Sequence, residues 1–216
     1  MITVERFNLL RNICHYAYTN NIDTLKHISN ADHIRHIRDD KTDSDAFILW
    51  IKDEVIVHFR GTEKNWKDII FNFITCRKKV EKGCYCHKGY LIKTLTILPF
   101  IFKELVKIDD KSKIWICGDS QGGGLARVFY FLLGLTMRFK DVNLFTIGTP
   151  AMSNKKFNKE IENDNCYHYL NDTDPIRLVP TFLIGFKHPV NTKMFKTGKK
   201  WFSVGSHFPL SYVYEE

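Results

Sequence analysis

The chain has 216 residues, of which 44% are hydrophobic and 14% aromatic, and this composition excludes a disordered or repetitive protein. A chain of this length predicts one domain, spanning residues 1–216, with a substantial buried core. The formal net charge of +8 favours anionic surfaces, but the basic residues are scattered rather than interleaved with aromatic residues, so we expect no nucleic-acid partner.

Residues 1–18 predict an amphipathic helix rather than a secretory signal, because Glu5, Arg6 and Arg11 interrupt the region that would have to be apolar. The longest apolar run, Val128 to Met137, is shorter than the roughly 20 residues that a membrane-spanning helix needs. These observations predict an intracellular, cytoplasmic protein.

The cysteines predict reduced thiols rather than a disulfide framework, because no secretory signal precedes them. They are Cys14, Cys76, Cys84, Cys86, Cys117 and Cys166. A zinc site at Cys84, Cys86 and His87, with Cys76 upstream, is the alternative, but these residues lack paired C-x-x-C spacing and a second pair of ligands. We therefore expect neither a metal nor a cofactor.

The chain alternates short β-branched or aromatic runs with longer helical stretches, a pattern typical of an α/β sheet. The runs at 46–52 and 55–60 flank a tight turn at Asp53-Glu54 and predict an antiparallel hairpin. Further strands are predicted at 113–117, 143–147 and 166–170, and helices at 89–106, 121–139 and 155–163. This succession predicts a mostly parallel mixed sheet flanked by helices, with the ligand site at the carboxyl ends of its strands.

The sequence Gly118-Asp-Ser-Gln-Gly122 matches the G-x-S-x-G pattern of a nucleophile elbow, with Ser120 at its centre. A predicted strand precedes the pattern and an apolar helix follows it, which is the context that such an elbow requires. Glycines flank the serine because side chains would clash in so tight a turn. Ser120 is therefore the predicted nucleophile.

Other interpretations of this motif remain. Ser120 could simply cap a helix after a glycine-rich turn. Trypsin-like proteases also contain Gly-Asp-Ser, but their histidine and aspartate precede the serine and their fold is all β. In the Gly-Asp-Ser-Leu esterases the motif lies near the N-terminus, whereas here it lies in mid-chain and Gln121 replaces the leucine.

Five further motifs, in chain order with the elbow, resemble those of the class 3 (fungal-type) lipases in the α/β-hydrolase superfamily. They are His58-Phe-Arg60-Gly61-Thr62, Asn65-Trp66, His87-Lys-Gly89-Tyr90, Phe145-Thr-Ile-Gly148-Thr-Pro150 and Asn171-Asp-Thr-Asp174-Pro-Ile-Arg-Leu-Val-Pro180. The resemblance runs from about Phe47 to His207 and implies an α/β-hydrolase fold with helices on both faces of the sheet. It departs at the elbow, where the family usually has G-H-S-L-G and Asp119 and Gln121 replace histidine and leucine.

In this fold the chain order of a catalytic triad is serine, acid, histidine. Asp174 follows the predicted strand at 166–170 and matches the family's acid, with Asp172 as the fallback. Asp174 could alternatively be only a turn residue before a proline. The expected acid is therefore Asp174.

Three histidines follow the elbow: His168 within a strand, His188 before a proline, and His207 near the end of the chain. Of the three, His207 matches the expected base by order and by motif, although a surface histidine near the chain end is the alternative. For the oxyanion hole the resemblance implies the backbone N–H groups of Thr62 and Gln121.

Residues 64–75 predict an amphipathic helix with one apolar stripe of Trp66, Ile69, Ile70 and Phe73. In the resembling lipases this segment is the lid, and a helix packed permanently on the core is the alternative. The basic run at 77–79 would favour peripheral contact with an anionic membrane surface.

We expect hydrolysis of carboxylic esters through an acyl-serine intermediate, with lipid acyl esters of the triacylglycerol-lipase or phospholipase kind as substrates. The rival hypothesis is a catalytically silent module of the same fold that holds a lipid or a protein. Asp119 and Gln121, the atypical neighbours of the serine, motivate this rival. An acidic group such as Asp119 beside the nucleophile disfavours an oxyanion unless it points away into hydrogen bonds.

Overall fold

The structure is a computed structural model that describes residues 2–61, 77–136, 138–178, 185–196 and 204–214. Its helices are α1 (Val4–Tyr16), α2 (Ile22–Ser29), α3 (Lys88–Leu105), α4 (Ser120–Gly134) and α5 (Lys155–Ile161). Its strands are β1 (His33–Asp39), β2 (Ser44–Ile51), β3 (Glu54–Phe59), β4 (Arg77–Glu81), β5 (Cys84–His87), β6 (Lys113–Asp119), β7 (Val142–Ile147), β8 (Cys166–Asn171) and β9 (Lys193–Phe195). Short 3-10 turns cover Ala17–Thr19, Pro175–Leu178, Val204–His207 and Pro209–Ser211.

Among the described residues, seven strands form the main sheet in the order β1-β2-β3-β6-β7-β8-β9. The pairs β1-β2 and β2-β3 are antiparallel, and the pairs from β3 to β9 are parallel. This mixed, mostly parallel sheet is the one that the sequence predicts. Its parallel strands all place their carboxyl ends at one edge, which is where ligands bind in such sheets.

Helices cover both faces of the sheet. On one face α3 and α4 bury Tyr90, Ile97 and Leu125 in the same core cluster as β3 and β6 residues. On the other face α1 buries Phe7 and Leu10 in a second cluster. The α1 helix begins where the side chain of its N-cap, Thr3, accepts a hydrogen bond from the Arg6 backbone N–H, and its buried residues recur at helical spacing.

The predicted strands and helices within the described residues are present in the structure, but several begin or end at other residues than predicted. In the β2-β3 hairpin the turn is Lys52-Asp53 rather than Asp53-Glu54, since Glu54 already pairs with Ile51 and Lys52 takes a φ of +52°. The strand predicted to end at Cys117 extends to Asp119, because its last residues pair in register with β7. The helix predicted over 121–139 covers Ser120–Gly134 instead.

The sequence patterns do not predict two strands of the main sheet, β1 and β9, or the β4-β5 hairpin. β1 reads HIRHIRD, in which charged residues outnumber the two isoleucines, and β9 has only three residues. Both are edge strands, so they need little apolar surface of their own.

No helix in the described ranges combines the length and apolarity needed to cross a membrane. The five described cysteines are buried and form no disulfide. The sixth, Cys76, and the segment 64–75 with its proposed lid stripe lie outside the described residues.

Candidate active site

Ser120 lies at the junction between β6 and α4, at the carboxyl edge of the sheet. Its φ is +51°, a left-handed conformation that costs a non-glycine residue free energy and that persists only where packing enforces it. Only 5% of the residue is exposed. A serine in this strained strand-to-helix turn has the geometry of a nucleophile elbow.

Close backbone packing explains the glycines around Ser120. A Cβ on Gly122 would lie 2.1 Å from the carbonyl oxygen of Phe59, and one on Gly118 would lie 2.5 Å from the Gly122 carbonyl carbon. A Cβ on Gly123 would lie 1.8 Å from Thr149 Oγ1. The first turn of α4 is thus wedged between the ends of β3 and β7, and this contact holds the serine in its strained conformation.

Asp174 and His207 form a hydrogen-bonded pair. The imidazole Nδ1 lies 2.8 Å from Asp174 Oδ2, and the carboxyl group is fully buried whereas the imidazole is 14% exposed. A carboxylate only accepts hydrogen bonds, so Nδ1 carries the hydrogen and Nε2 is left to accept a proton. This is the tautomer that a general base beside a serine requires.

Two further donors hold the Asp174 carboxylate. The backbone N–H of Ile176 donates to Oδ1 at 2.9 Å, and the Tyr212 hydroxyl donates to Oδ2 at 3.3 Å. Burial, and then the charge of Asp174, raise the pKa of Tyr212 well above its usual range, so its hydroxyl stays a donor. Sequence reasoning missed Tyr212, because a tyrosine near a chain end carries no local signal of such a contact.

The sheet register places Ser120 next to the strand end that His207 covers. Asp119 pairs with Ile147, so Ser120 and Gly148 both come directly after paired residues of adjacent strands, which lie about 4.8 Å apart. The His207 ring covers Gly148: atoms Cε1 and Nδ1 lie 3.1 Å from the position a Cβ there would occupy. The imidazole therefore lies over the end of the strand next to the serine.

Hydrogen bonds fasten the loop that carries His207 to the loop that carries Asp174. Asn171 Nδ2 donates to the Ser206 carbonyl oxygen at 2.6 Å and to Ser211 Oγ at 2.9 Å. The Thr173 hydroxyl donates to Ser206 Oγ at 2.7 Å. These bonds connect residues more than thirty positions apart, so no sequence spacing predicts them.

The alternative residues lie in other surroundings. His168 Nδ1 shares a hydrogen bond with Thr146 at 2.7 Å, and burial lowers its pKa well below the usual value. Burial likewise lowers the pKa of His188 to about 4, and its Nε2 lies 3.4 Å from the Arg177 carbonyl oxygen. Asp172 donates its backbone N–H to Phe195 of β9.

Of the two expected oxyanion-hole residues, Gln121 is the second residue of α4, where backbone N–H groups carry the positive end of the helix dipole. Lys93 of α3 donates to Gln121 Oε1 at 2.9 Å and to the Asp43 carbonyl oxygen at 3.0 Å. Thr62 lies outside the described residues.

Asp119, the atypical neighbour of the serine, is directed to the α1 side of the sheet. Its Oδ2 accepts a hydrogen bond from the Tyr18 hydroxyl at 2.6 Å, and its Oδ1 lies 3.7 Å from His58 Nε2. Burial alone would lower the pKa of His58, but the Cys14 thiol and the Asp119 carboxylate together raise it to about 9. The carboxylate thus points away into polar contacts, the condition under which it does not oppose an oxyanion.

Comparison with known proteins shows the family and the fold of the chain. A family model described as Lipase (class 3) matches residues 56–183. The chain is 25% identical to a lipase of Rhizopus niveus over 170 residues, which cover 73% of this chain and 43% of that lipase. It is also 27% identical to Toxin TseL of Vibrio cholerae over 99 residues, which cover 46% of this chain and 15% of the toxin. The chain therefore spans less than half the length of these curated relatives.

A crystal structure of a lipase from Rhizopus microsporus var. chinensis superimposes with a TM-score of 0.78 at 19% identity, covering 89% of this chain and 74% of that one. This likeness confirms the predicted α/β-hydrolase fold.

Proposed function

The chain belongs to the class 3 lipase family, and from this premise we propose that it is a serine hydrolase of carboxylic esters, with lipid acyl esters as its substrates. The proposal rests on one observation above all: the Asp174-His207 pair lies over the end of the strand next to the strained Ser120. Serine, imidazole and carboxylate in this relation are the parts of an acyl-transfer triad.

In the proposed reaction the Ser120 hydroxyl attacks the ester carbonyl carbon while His207 Nε2 takes its proton. The negative charge that develops on the carbonyl oxygen is stabilised by the backbone N–H of Gln121 and, by family resemblance, that of Thr62. His207 then returns the proton to the departing alcohol, which leaves an acyl-serine. Water, deprotonated by the same imidazole, releases the acid and restores Ser120.

A fluorophosphonate probe tests this assignment against the silent module. We expect the probe to label the wild-type protein at one site, and Ser120→Ala to lose the label completely, because only a serine activated by a base reacts with it. Ser112→Ala, which removes a serine at the opposite end of β6, is the matched control and should keep full labelling. A wild-type protein that is folded by circular dichroism but unlabelled would support the binding module instead.

The proposal extends to peripheral contact with an anionic membrane. Arg77, Lys78 and Lys79 are consecutive exposed residues of β4. The hairpin they belong to joins the carboxyl edge of the sheet, since the His87 backbone N–H donates to the Met152 carbonyl oxygen at 2.8 Å. A basic patch on the same edge as Ser120 would bring the site to the lipid surface.

Reversing two of these charges should weaken membrane binding. We expect the Lys78→Glu, Lys79→Glu double variant to bind phosphatidylserine-containing vesicles at least about 30-fold less tightly at low salt, because each of the two basic residues lost contributes about 1 kcal/mol near the surface. The control is Lys111→Glu with Lys140→Glu, two exposed lysines that precede β6 and β7 at the other end of the sheet. Equal losses in a vesicle sedimentation assay would reject the patch as the contact.

A further inference from the structure

Three side chains with metal-binding chemistry meet in the interior beside the elbow. Cys14 comes from α1, His58 from β3 and Asp119 from the end of β6, and one ligand atom of each lies within 4.8 Å of the other two. All three are buried: Cys14 and His58 are 0% exposed and Asp119 is 3% exposed. The active-site chemistry proposed above uses none of them directly.

Three polar side-chain atoms of this cluster lack hydrogen-bond partners within the described part of the chain. They are Nδ1 and Nε2 of His58 and Oδ1 of Asp119. The 3.7 Å between His58 Nε2 and Asp119 Oδ1 exceeds the length of a hydrogen bond. Unsatisfied buried polar atoms cost free energy, so these atoms point to a ligand.

The three ligand atoms lie close enough together for one metal ion to approach all of them. Bonds of about 2.0 Å to nitrogen or oxygen and about 2.3 Å to sulfur put the ligand atoms of a tetrahedral site about 3.3–3.8 Å apart. For a nitrogen and an oxygen the expected separation is about 3.3 Å, so His58 Nε2 and Asp119 Oδ1, 3.7 Å apart, would move slightly closer on binding the ion. Thiolate, imidazole and carboxylate are the three ligand types that proteins use for zinc.

A second shell is also in place. The Tyr18 hydroxyl donates to Asp119 Oδ2 at 2.6 Å, which fixes the carboxylate with Oδ1 directed into the cluster. Such outer hydrogen bonds orient the ligands of metal sites.

We propose that Cys14, His58 and Asp119 bind a zinc ion that joins α1 to the sheet directly behind Ser120. Zn²⁺ displaces the thiol proton of Cys14 to solvent, and the thiolate and the Asp119 carboxylate then balance its two positive charges. The ion would thereby neutralise the acidic residue that precedes the nucleophile. This site differs from the Cys84-Cys86-His87 alternative of the sequence analysis and departs from the expectation of a metal-free protein.

Metal binding to the full-length protein tests the proposal without any activity assay. After treatment with a chelator and a thiol reductant, the protein should bind one equivalent of added Zn²⁺ and unfold at a higher temperature. Added Co²⁺ should produce the near-ultraviolet charge-transfer absorption of a cobalt-thiolate bond.

Two variants locate the site. Cys14→Ser should abolish the cobalt-thiolate absorption and weaken zinc affinity by about 100-fold or more. The control is Cys166→Ser, which replaces a buried cysteine on the other face of the sheet and should leave both the absorption and the zinc affinity unchanged. Should Cys14→Ser fold poorly, Tyr18→Phe keeps all three ligands and should weaken affinity by about 10- to 100-fold.

Three results would overturn the proposal. One is a protein that binds no stoichiometric zinc and shows no thermal shift. The cluster would then contain only an ion pair between a protonated His58 and Asp119. Another is a cobalt-thiolate band that survives in Cys14→Ser. The third is zinc binding lost in Cys84→Ser but kept in Cys14→Ser, which would move the site to the β5 cysteines.

Discussion

Replacing Asp174 with asparagine will lower kcat for ester hydrolysis by about 10⁴-fold while leaving the fold intact, the size of loss expected when a triad acid becomes an amide. The change is nearly isosteric, so the buried pocket that surrounds the carboxyl group keeps its shape. The loss arises from the tautomer of His207 rather than from a missing side chain.

The hydrogen bonds around Asp174 determine which tautomer forms. The Ile176 backbone N–H can only donate, so the amide oxygen of the asparagine will take the Oδ1 position. The amide NH₂ then takes the Oδ2 position and donates to His207 Nδ1, and the imidazole must carry its hydrogen on Nε2. In that state it cannot accept the proton of Ser120.

Asp172→Asn is the matched control, because Asp172 lies two residues away and is the fallback acid of the sequence analysis. We expect its kcat on a short-chain p-nitrophenyl ester to stay within about threefold of the wild-type value. Circular dichroism and thermal unfolding verify the fold of both variants. If Asp172→Asn proved the damaging change and Asp174→Asn the harmless one, the assignment of the acid would be wrong.

The largest effect on stability is expected for Gly122→Ala. The new Cβ would lie 2.1 Å from the Phe59 carbonyl oxygen and 2.7 Å from the Arg60 carbonyl carbon, and both are backbone atoms of the sheet edge. Because neither can rotate away, the first turn of α4 must move off the end of β3. We expect the free energy of unfolding to fall by more than about 4 kcal/mol, or the protein to fail to fold.

Gly134→Ala provides the comparison on the same helix. Gly134 is the last residue of α4, and a Cβ there would have no heavy atom within 4 Å. Alanine should therefore stabilise the protein by about 0.4–1 kcal/mol through the lower entropy of the unfolded chain. Urea unfolding of the two variants measures the contrast, and equal free energies would refute the close packing described at the elbow.

Several features of this protein follow from short stretches of its sequence. The β2-β3 hairpin, the β6-α4 junction at Ser120 and the strands β7 and β8 are confirmed, as are the α/β-hydrolase fold and the class 3 lipase family. The strands and the helix could be predicted because they have local hydrophobic periods, and the elbow because it has glycines at fixed positions. The organisation as a single domain and the catalytic roles of Ser120, Asp174 and His207 stay predictions.

Only the tertiary structure decided which distant side chains meet. Tyr212 on Asp174, Asn171 on the His207 loop, and Cys14 beside His58 and Asp119 join residues from separate elements at no fixed spacing. Such contacts depend on strand order, on register and on the packing of α1 against the sheet. A local sequence pattern determines the structure of its own segment, whereas these contacts depend on the relative positions of two or three separate elements.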